Sequence, residues 1–558
     1  MRVIEYEPAL CYHTVKIAKI IGKTGLNKTV LPKRQENQMH ADLLIKNGKC
    51  LCVANDNVYD WVAVTGHKIS GLGYREEYKR TFDRIHCTID ANGNTVLPGF
   101  YDSHFHLVQT GLDSLSLDLS EATSFDDIGD LIKEQSRLTP EQPIHAKGLY
   151  PYNLKEKCFP SRTVLDKFCN DVPVWVTSSD FHISALNTYG ILYYKIPFTI
   201  GGIELDSKAM PTGIFKKQAN VILRENILKN VSNAHRLEAI KGVLDDAVKH
   251  GITTIDTMEG GFLFCNKDAE LIYDYKDTFP VDVNLYYQTS DILKVKELRL
   301  PRIGSNPFID GTLGSRNAAL NYPYIDDPDN IGELYFTQEE LNEFLVECYK
   351  NRLQTSLHVI GGRAIELALK AHEHALNMTG NAGLRHRLEH VELVSSSQIL
   401  RARELGLVFS MQPTYEYLWG GKGRMYEARI GEHYRESNPL REILDHGVVI
   451  CGSSESDVTP IGPAMGIHSA VNHPVEEHRI ERMEAIRMFT LNGAFAVFEE
   501  KKKGSLELGK LADMVILNKD IMKVPKEQIK DVEVATTIKS GHILYHTNEL
   551  CLGVDDHD

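Results

Sequence analysis

The feature that most constrains the fold is an alternation of short apolar runs with helix-like stretches through the middle of the chain. The apolar runs include PVWVTSS, GITTIDTM, LQTSLHVI, LGLVFSMQP and HGVVICGSS, and the helical stretches include TQEELNEFLVECYKN and GRAIELALKAHEHAL. Such alternation is typical of βα units around a parallel sheet. A (β/α)₈ barrel takes about 250 to over 400 residues. We therefore predict an α/β fold with a (β/α)₈ TIM-like barrel over residues 100–497.

Both ends of the chain carry a different, turn-rich β pattern. Near the start it reads DLLIKNG, WVAVTGHKISGLG and TIDANGNTVLPG, and near the end GSLELGKLADMVILNKD and VEVATTIKSGHILYH. Strands separated by Gly, Asn-Gly and Asp turns favour hairpins. We expect residues 41–99 and 498–558 to form one small β-sandwich domain. Residues 1–40 are an extension to which the sequence assigns no role.

The charge balance and apolar content exclude some classes of protein. A formal net charge of −14, from 62 Lys+Arg against 76 Asp+Glu, repels a nucleic-acid backbone, and no basic patch interrupts it. No run approaches the ~20 apolar residues of a membrane span. Arg2, Glu5 and Glu7 interrupt any secretion signal, and the ten cysteines are scattered. We expect a cytoplasmic protein, a homodimer, that acts on a small molecule.

Two histidines follow the apolar start of LPGFYDSHFHL. His104 and His106 lie two residues apart, so a strand directs both imidazoles to the same side, where they can share one metal ion. A pair of this kind can also be structural. The spacing alone leaves both interpretations open.

Further candidate ligands lie at the ends of other strand-like runs. His358 closes LQTSLH, His390 closes RHRLEH, and the acids Glu455 and Asp457 follow HGVVICGSS. The carboxyl ends of barrel strands converge on one face, so these groups can meet there. Either histidine could instead be a satisfied core residue, and the acids could cap the next helix.

With these motifs the sequence resembles the metal-dependent amidohydrolase superfamily, in its amidohydrolase family 3 or YtcJ-like branch. The segments that carry the resemblance run from about Ala41 to about His546, and they include VLPGFYDSHFHL, PVWVTSSDFHISALN, FIDGTLGSRNAAL, HVIGGRAIELALKAHE, RHRLEHVEL and SDVTPIGPAMGI. The resemblance implies hydrolysis of a C–N bond by metal-activated water. Family members include hydrolases of N-substituted formamides.

The resemblance also implies roles for particular residues. His104, His106, His358 and His390 match the histidine ligands of the superfamily. The acid after the eighth strand, which is normally Asp in the family, exchanges protons with the metal-bound water. Ungapped alignment puts Glu455 at that position, whereas the motif itself favours Asp457, and we prefer Glu455.

Three positions depart from the family pattern. Asn306 replaces a lysine that is often carboxylated to bridge two metals, Lys217 replaces a glutamate, and Gly362 replaces an aspartate. Since Asn306 cannot carry a carbamate, a single ion is favoured, held by His104, His106, His358 and Glu455, with His390 polarising the substrate carbonyl or the water. Zn²⁺ suits these ligands, and iron(II) or manganese are the alternatives. Lys217 could be a relocated carboxylated lysine that supports two ions, or a plain surface lysine.

Other residues are candidates for contact with substrate. Arg316 could clamp a substrate carboxylate, and Asp310 and Gln412 would line the site. An internal salt bridge between Asp310 and Arg316 would instead brace their loop. The departures from the family also leave open a lyase, an isomerase or a catalytically lapsed member on the same barrel.

Overall fold

The computed structural model describes residues 39–179, 181–197, 200–261, 264–304, 308–547 and 552–554. Nearly all of the predicted N-terminal extension, and the departure at Asn306, lie outside these residues.

The described chain opens on strands of the terminal domain. The strands are β1 (His40–Lys46), β2 (Lys49–Cys52), β3 (Asn57–Tyr59), β4 (Trp61–Thr65), β5 (Lys68–Gly73), β6 (Arg84–Asp90) and β7 (Thr95–Pro98). A short helix, α1 (Tyr78–Thr81), lies between β5 and β6. The first barrel strand and its helix follow, β8 (Phe100–Phe105) and α2 (Leu107–Ser114).

An insertion then separates the first barrel strand from the second. It contains β9 (Leu117–Asp118), α3 (Phe125–Leu138), β10 (Ile144–Leu149), α4 (Arg162–Leu165), β11 (Val174–Ser178), β12 (Ile183–Leu186), α5 (Thr188–Tyr194), β13 (Ile203–Leu205), β14 (Pro211–Lys216) and α6 (Lys217–Asn230).

The rest of the barrel alternates strands and helices. It comprises α7 (Asn233–Lys249), β15 (Ile252–Glu259), α8 (Asn266–Tyr275), β16 (Asp282–Gln288), α9 (Ile292–Glu297), β17 (Arg302–Gly304), α10 (Gln338–Lys350), β18 (Gln354–Val359), α11 (Gly362–Thr379), β19 (Arg387–His390), α12 (Ser396–Leu405), β20 (Val408–Met411), α13 (Thr414–Leu418), α14 (Met425–Ile430), α15 (Leu440–Asp445), β21 (Val449–Gly452), α16 (Pro463–Val471), α17 (Arg482–Met488) and α18 (Leu491–Ala496).

The described chain closes on β22 (Met514–Leu517), β23 (Val534–Lys539), β24 (His542–His546) and β25 (Leu552–Val554). Short 3-10 helices lie at Pro151–Asn153, Lys276–Thr278, Gly431–Glu436, Glu476–His478 and Lys526–Asp531.

The central sheet is a nearly closed parallel barrel of eight strands, which follow chain order from β8 through β15 to β21. Its strands are buried on both faces, as all eight residues of β15 illustrate. That burial explains why they read as continuous apolar runs rather than as alternating ones. The predicted fold class is confirmed.

The two ends of the chain share a sheet. In the order β24-β23-β22-β7-β2-β3, the C-terminal β22 pairs antiparallel with the N-terminal β7. A second sheet, β25-β6-β1-β4-β5, packs on the first through one apolar cluster that contains Leu43, Val64, Val96, Met514 and Ile538. The expected sandwich of both terminal segments is therefore present.

One apolar run belongs to a different sheet from the one we expected. PVWVTSS forms β11, which pairs parallel with β10 and antiparallel with β12 in the six-stranded sheet of the insertion. A buried strand of either sheet needs the same β-branched residues, so its composition did not distinguish them. The insertion has apolar cores of its own.

Candidate metal centre

The barrel closes between its first and last strands, and the candidate site lies at this seam. The Glu455 amide donates to the carbonyl of His104 at 3.0 Å, and the His106 amide donates to the carbonyl of Ser456 at 2.9 Å. The Ser454 amide and hydroxyl both donate to Asp102. These bonds place the loop after β21 directly beside His104 of β8 and beside His106, which follows the strand.

Three side chains come together at this seam. His104, His390 and Glu455 are buried, and each offers a ligand atom within 4.8 Å of the other two. The Nδ1 atom of His390 lies 3.4 Å from Oε2 of Glu455. Both His390 and Glu455 have left-handed backbone conformations, with φ of 70° and 51°. Such strain in non-glycine residues clusters at functional sites.

One ring nitrogen of each nearby histidine is already bonded. Nδ1 of His104 donates to Glu389 at 2.7 Å, and Nδ1 of His106 donates to the Met258 carbonyl at 2.9 Å. Nδ1 of His390 donates to Oε1 of Gln412 at 2.9 Å. These bonds fix the tautomer that leaves Nε2 with a free lone pair, as in metal-binding histidines.

The remaining nitrogen of His390 fits a cation. Its Nε2 atom is buried and has no hydrogen-bond partner among the described residues. Burial, aided by the neighbouring His104, lowers the pKa of both His106 and His390 to about 3. The two imidazoles are therefore neutral, which is the form that binds metal.

Next to His104 lies a buried network in which Arg387 pairs with the acids Glu389 and Asp256. The fully buried Arg387 bonds Glu389 through two nitrogens and Asp256 through a third, at 2.7 to 2.9 Å. Burial alone would raise the pKa of Glu389, but Arg387 and His104 hold it well below its usual value. Glu389 is thus a charged acceptor that orients the His104 ring.

The Glu455 carboxyl has a different environment. Its Oε2 atom accepts a hydrogen bond from the Tyr415 hydroxyl. Burial raises its pKa well above the usual value, and Glu392, Glu389 and Asp102 raise it further. A divalent cation beside it would reverse that shift. The donor set of two imidazoles and a carboxylate suits Zn²⁺ and related ions.

The other predicted histidine ligands lie beside this group rather than in it. The ring centroid of His106 is 5.3 Å from that of His104, and the centroid of His358 is 4.4 Å from that of His390. Nε2 of His358 donates to the Gly311 carbonyl at 3.3 Å and lies 4.0 Å from Asp310. Binding of a metal by that nitrogen would require the bond to Gly311 to break.

The predicted substrate-contacting residues are occupied by other partners. Asp310 accepts the backbone amides of Ala319, Ile360 and Gly361, and burial raises its pKa to about 7. Arg316 pairs through two nitrogens with Asp326, at 3.0 and 2.8 Å, instead of with Asp310.

Gln412 lies within the site. It joins His390 to Ser453, to whose hydroxyl its amide donates at 2.9 Å.

The structure does not place Asp457 or Lys217 among the clustered ligands. The side chain of Asp457 faces Asp113, and burial together with that carboxyl raises the pKa of Asp457 well above its usual value. The Lys217 side chain is 77% exposed, and its Nζ lies 3.4 Å from Glu333. Lys217 therefore has the geometry of a surface lysine.

Sequence reasoning missed Arg387, Glu389 and Tyr415. The run RHRLEH carried a signal for the first two, because charged residues two apart in an otherwise buried strand lie on one face and require partners. Tyr415 follows β20, and nothing in the local sequence indicates its contact with a residue forty positions away.

Comparison with known proteins identifies the family of the chain. The model of the amidohydrolase family matches residues 87–545, so the chain belongs to that family and is a hydrolase. YtcJ of Bacillus subtilis (strain 168) is 27% identical over 512 residues, which cover 86% of this chain and 94% of YtcJ. The N-substituted formamide deformylase of Arthrobacter pascens is 24% identical over 540 residues, covering 90% and 98% of the two chains.

A solved structure shares the fold. The metal-dependent hydrolase of Pyrococcus furiosus, a protein of uncharacterised activity, superposes with a TM-score of 0.70 at 24% identity, covering 86% of this chain and 100% of its own. Within the described residues, no helix has both the length and the apolarity needed to cross a membrane.

Proposed function

We propose that the protein hydrolyses the C–N bond of a small amide, with N-substituted formamides as the first class to test, and that it uses one divalent metal ion, Zn²⁺ before others. The observation that carries the proposal is the meeting of His104, His390 and Glu455 within 4.8 Å in a buried site. The similarity to a formamide deformylase supports the choice of substrate class.

The fixed tautomers support metal binding at this place. The acceptors Glu389 and Gln412 hold the Nδ1 protons of His104 and His390, which leaves both Nε2 atoms available. His106 is held in the same way and is adjacent, so we include it among the proposed ligands. A bound ion of this kind lowers the pKa of water and polarises a carbonyl.

The chain's own residues supply the proton transfers. Glu455 is the carboxyl that clusters with His104 and His390 as a possible ligand, and its buried position makes its proton affinity sensitive to a nearby charge. We propose that it accepts the proton of the attacking water and returns it to the leaving nitrogen. Tyr415 holds Glu455 in place for this exchange, and Gln412 holds the neighbouring His390.

Metal removal and reconstitution test the proposal. The purified protein would be stripped with a chelator, reloaded with Zn²⁺, Mn²⁺ or Fe²⁺, and assayed for formate and amine released from N-benzylformamide. We expect activity that disappears on stripping, returns on reloading and yields the two products in equal amounts. His104→Ala should abolish it, and His235→Ala, at an exposed helical position, should not. Full activity in the stripped protein would contradict the proposal.

A further inference from the structure

The helix after the seventh barrel strand places the Tyr415 hydroxyl against Glu455, the acid that follows the eighth strand. α13 begins directly after Pro413, and the Tyr415 amide donates to the Gln412 carbonyl at 3.0 Å. Tyr415 is 6% exposed, and its hydroxyl donates to Oε2 of Glu455.

Contacts other than the hydroxyl hold the Tyr415 ring. Its plane is within 6° of the His390 ring, at a centroid distance of 6.4 Å, and it packs against Trp419 at 4.7 Å. The Trp419 amide donates to the Tyr415 carbonyl at 2.7 Å. Removal of the oxygen alone should therefore leave the ring in place.

Glu455 requires such a restraint. Its backbone is held by the bond to the His104 carbonyl, but the side chain has three rotatable bonds, and its terminal torsion is broad. A donor that occupies Oε2 fixes the plane of the carboxylate, and so determines which oxygen can face a cation or a water molecule.

We propose that Tyr415 is a positioning residue that fixes Glu455 through Oε2, so that the carboxylate presents a single oxygen to the metal ion. The inference rests on the proposed function for the presence of that ion, and it adds a residue to the site from helix α13, which follows the seventh strand. It also accounts for the use of a glutamate here, because the longer side chain reaches the hydroxyl.

Tyr415→Phe tests this role, with Tyr417→Phe as the matched control on the same helix. Tyr417 is 37% exposed, and its ring lies against His468 instead of the site. The readouts are the affinity for Zn²⁺ by chelator competition, the visible absorption of the Co²⁺-loaded protein, and kcat and KM separately. In Tyr415→Phe we expect about tenfold weaker metal binding, a shifted Co²⁺ spectrum and a lower kcat at nearly constant KM. Tyr417→Phe should match the wild type in each.

A second variant breaks the same bond from the other side. Glu455→Asp withdraws the carboxylate from the hydroxyl, so it should also shift the Co²⁺ spectrum, and adding Tyr415→Phe to it should change little more. This variant keeps the test open if Tyr415→Phe does not fold. Unchanged affinity and spectrum in Tyr415→Phe, or fully additive effects in the double variant, would overturn the inference.

The Co²⁺ measurements also separate this inference from the proposed reaction. If the wild type binds Co²⁺ but releases no formate from the amide, the proposed substrate class fails and the role of Tyr415 is still decided by the spectrum. If the wild type binds no Co²⁺, both proposals are wrong.

Discussion

Two buried carboxyls at the same end of the barrel, Glu389 and Glu455, have opposite electrostatic environments. Glu389 faces the guanidinium of Arg387, and its pKa is held far below its usual value. Oε2 of Glu455 lies 3.4 Å from Nδ1 of His390, but the pKa of that imidazole is lowered to about 3, so it is neutral and forms no ion pair. One carboxylate is neutralised by the protein, and the other has no built-in cation.

The difference indicates what each residue is for. An ion pair such as Glu389 with Arg387 is complete in the folded chain, so Glu389 can orient His104 whether or not a metal is bound. A buried carboxyl without a cation costs free energy that folding must supply from elsewhere. Such a cost persists at sites that bind a charged partner. Glu455 is therefore the part of the site that a divalent ion would complete.

The largest expected effect on the free energy of unfolding comes from removing Arg387, the cation that pairs with Glu389. Arg387→Met would leave Glu389 and Asp256 buried without their partner, and breaking a buried pair in this way costs about 3–5 kcal/mol. We expect that loss in the free energy of unfolding measured in urea. Arg401→Met is the control, because Arg401 pairs with Glu366 and Glu373 nearer the surface and should cost no more than about 1 kcal/mol. Equal losses in the two variants would contradict the comparison.

An intermediate effect, on the pH dependence of the free energy of unfolding, is expected at Glu416, which is also a buried carboxyl. It accepts hydrogen bonds from Ser437 and Asn438, its Oε2 has no hydrogen-bond partner among the described residues, and burial raises its pKa to about 7. The neighbouring His473 Nε2 lies 3.8 Å away, and burial lowers the pKa of that imidazole to about 3, so it does not neutralise the carboxylate.

The sign of the pH dependence follows from this shift. Between the unfolded pKa of Glu416, about 4.3, and the folded value, the folded protein binds more protons, so stability falls as pH rises. Glu416→Gln removes the titration and should reduce the loss of unfolding free energy between pH 5 and pH 8 by about 1–3 kcal/mol. An unaltered slope in urea unfolding at the two pH values would show that Glu416 is not buried as a neutral acid.

The smallest effect is expected at Lys217. Its side chain is 77% exposed and pairs with Glu333 on the surface, so Lys217→Ala should change the free energy of unfolding by less than about 0.5 kcal/mol. Metal content per chain, with and without added bicarbonate, should also equal that of the wild type. Loss of bound metal in this variant would instead support a carboxylated lysine and a second ion.

The sequence supported the barrel and the terminal sandwich because both depend on local patterns. Buried parallel strands read as apolar runs, and the hairpins carry Asn-Gly and Gly turns. The strand PVWVTSS was misplaced because its residues suit any buried strand, and only its partners β10 and β12 distinguish the inserted sheet.

Within the site, the sequence named groups that lie at strand ends, and the structure brings His104, His390 and Glu455 together. It could not name Tyr415, whose partner is distant in the chain. The sequence also could not predict that the His358 ring faces Gly311, because ring orientation depends on contacts with another loop. Strand ends are readable from periodicity, whereas side-chain partners across loops are set by the folded structure.

Metal content per chain tests the central claim most directly. Elemental analysis of the purified wild type should find about one divalent ion per chain, with most of it lost from His104→Ala and His390→Ala and none lost from His235→Ala. Circular dichroism of each variant should remain that of the wild type. Equal metal content in all four proteins, or a wild type that binds no divalent ion after reloading, would contradict a metal centre at His104, His390 and Glu455.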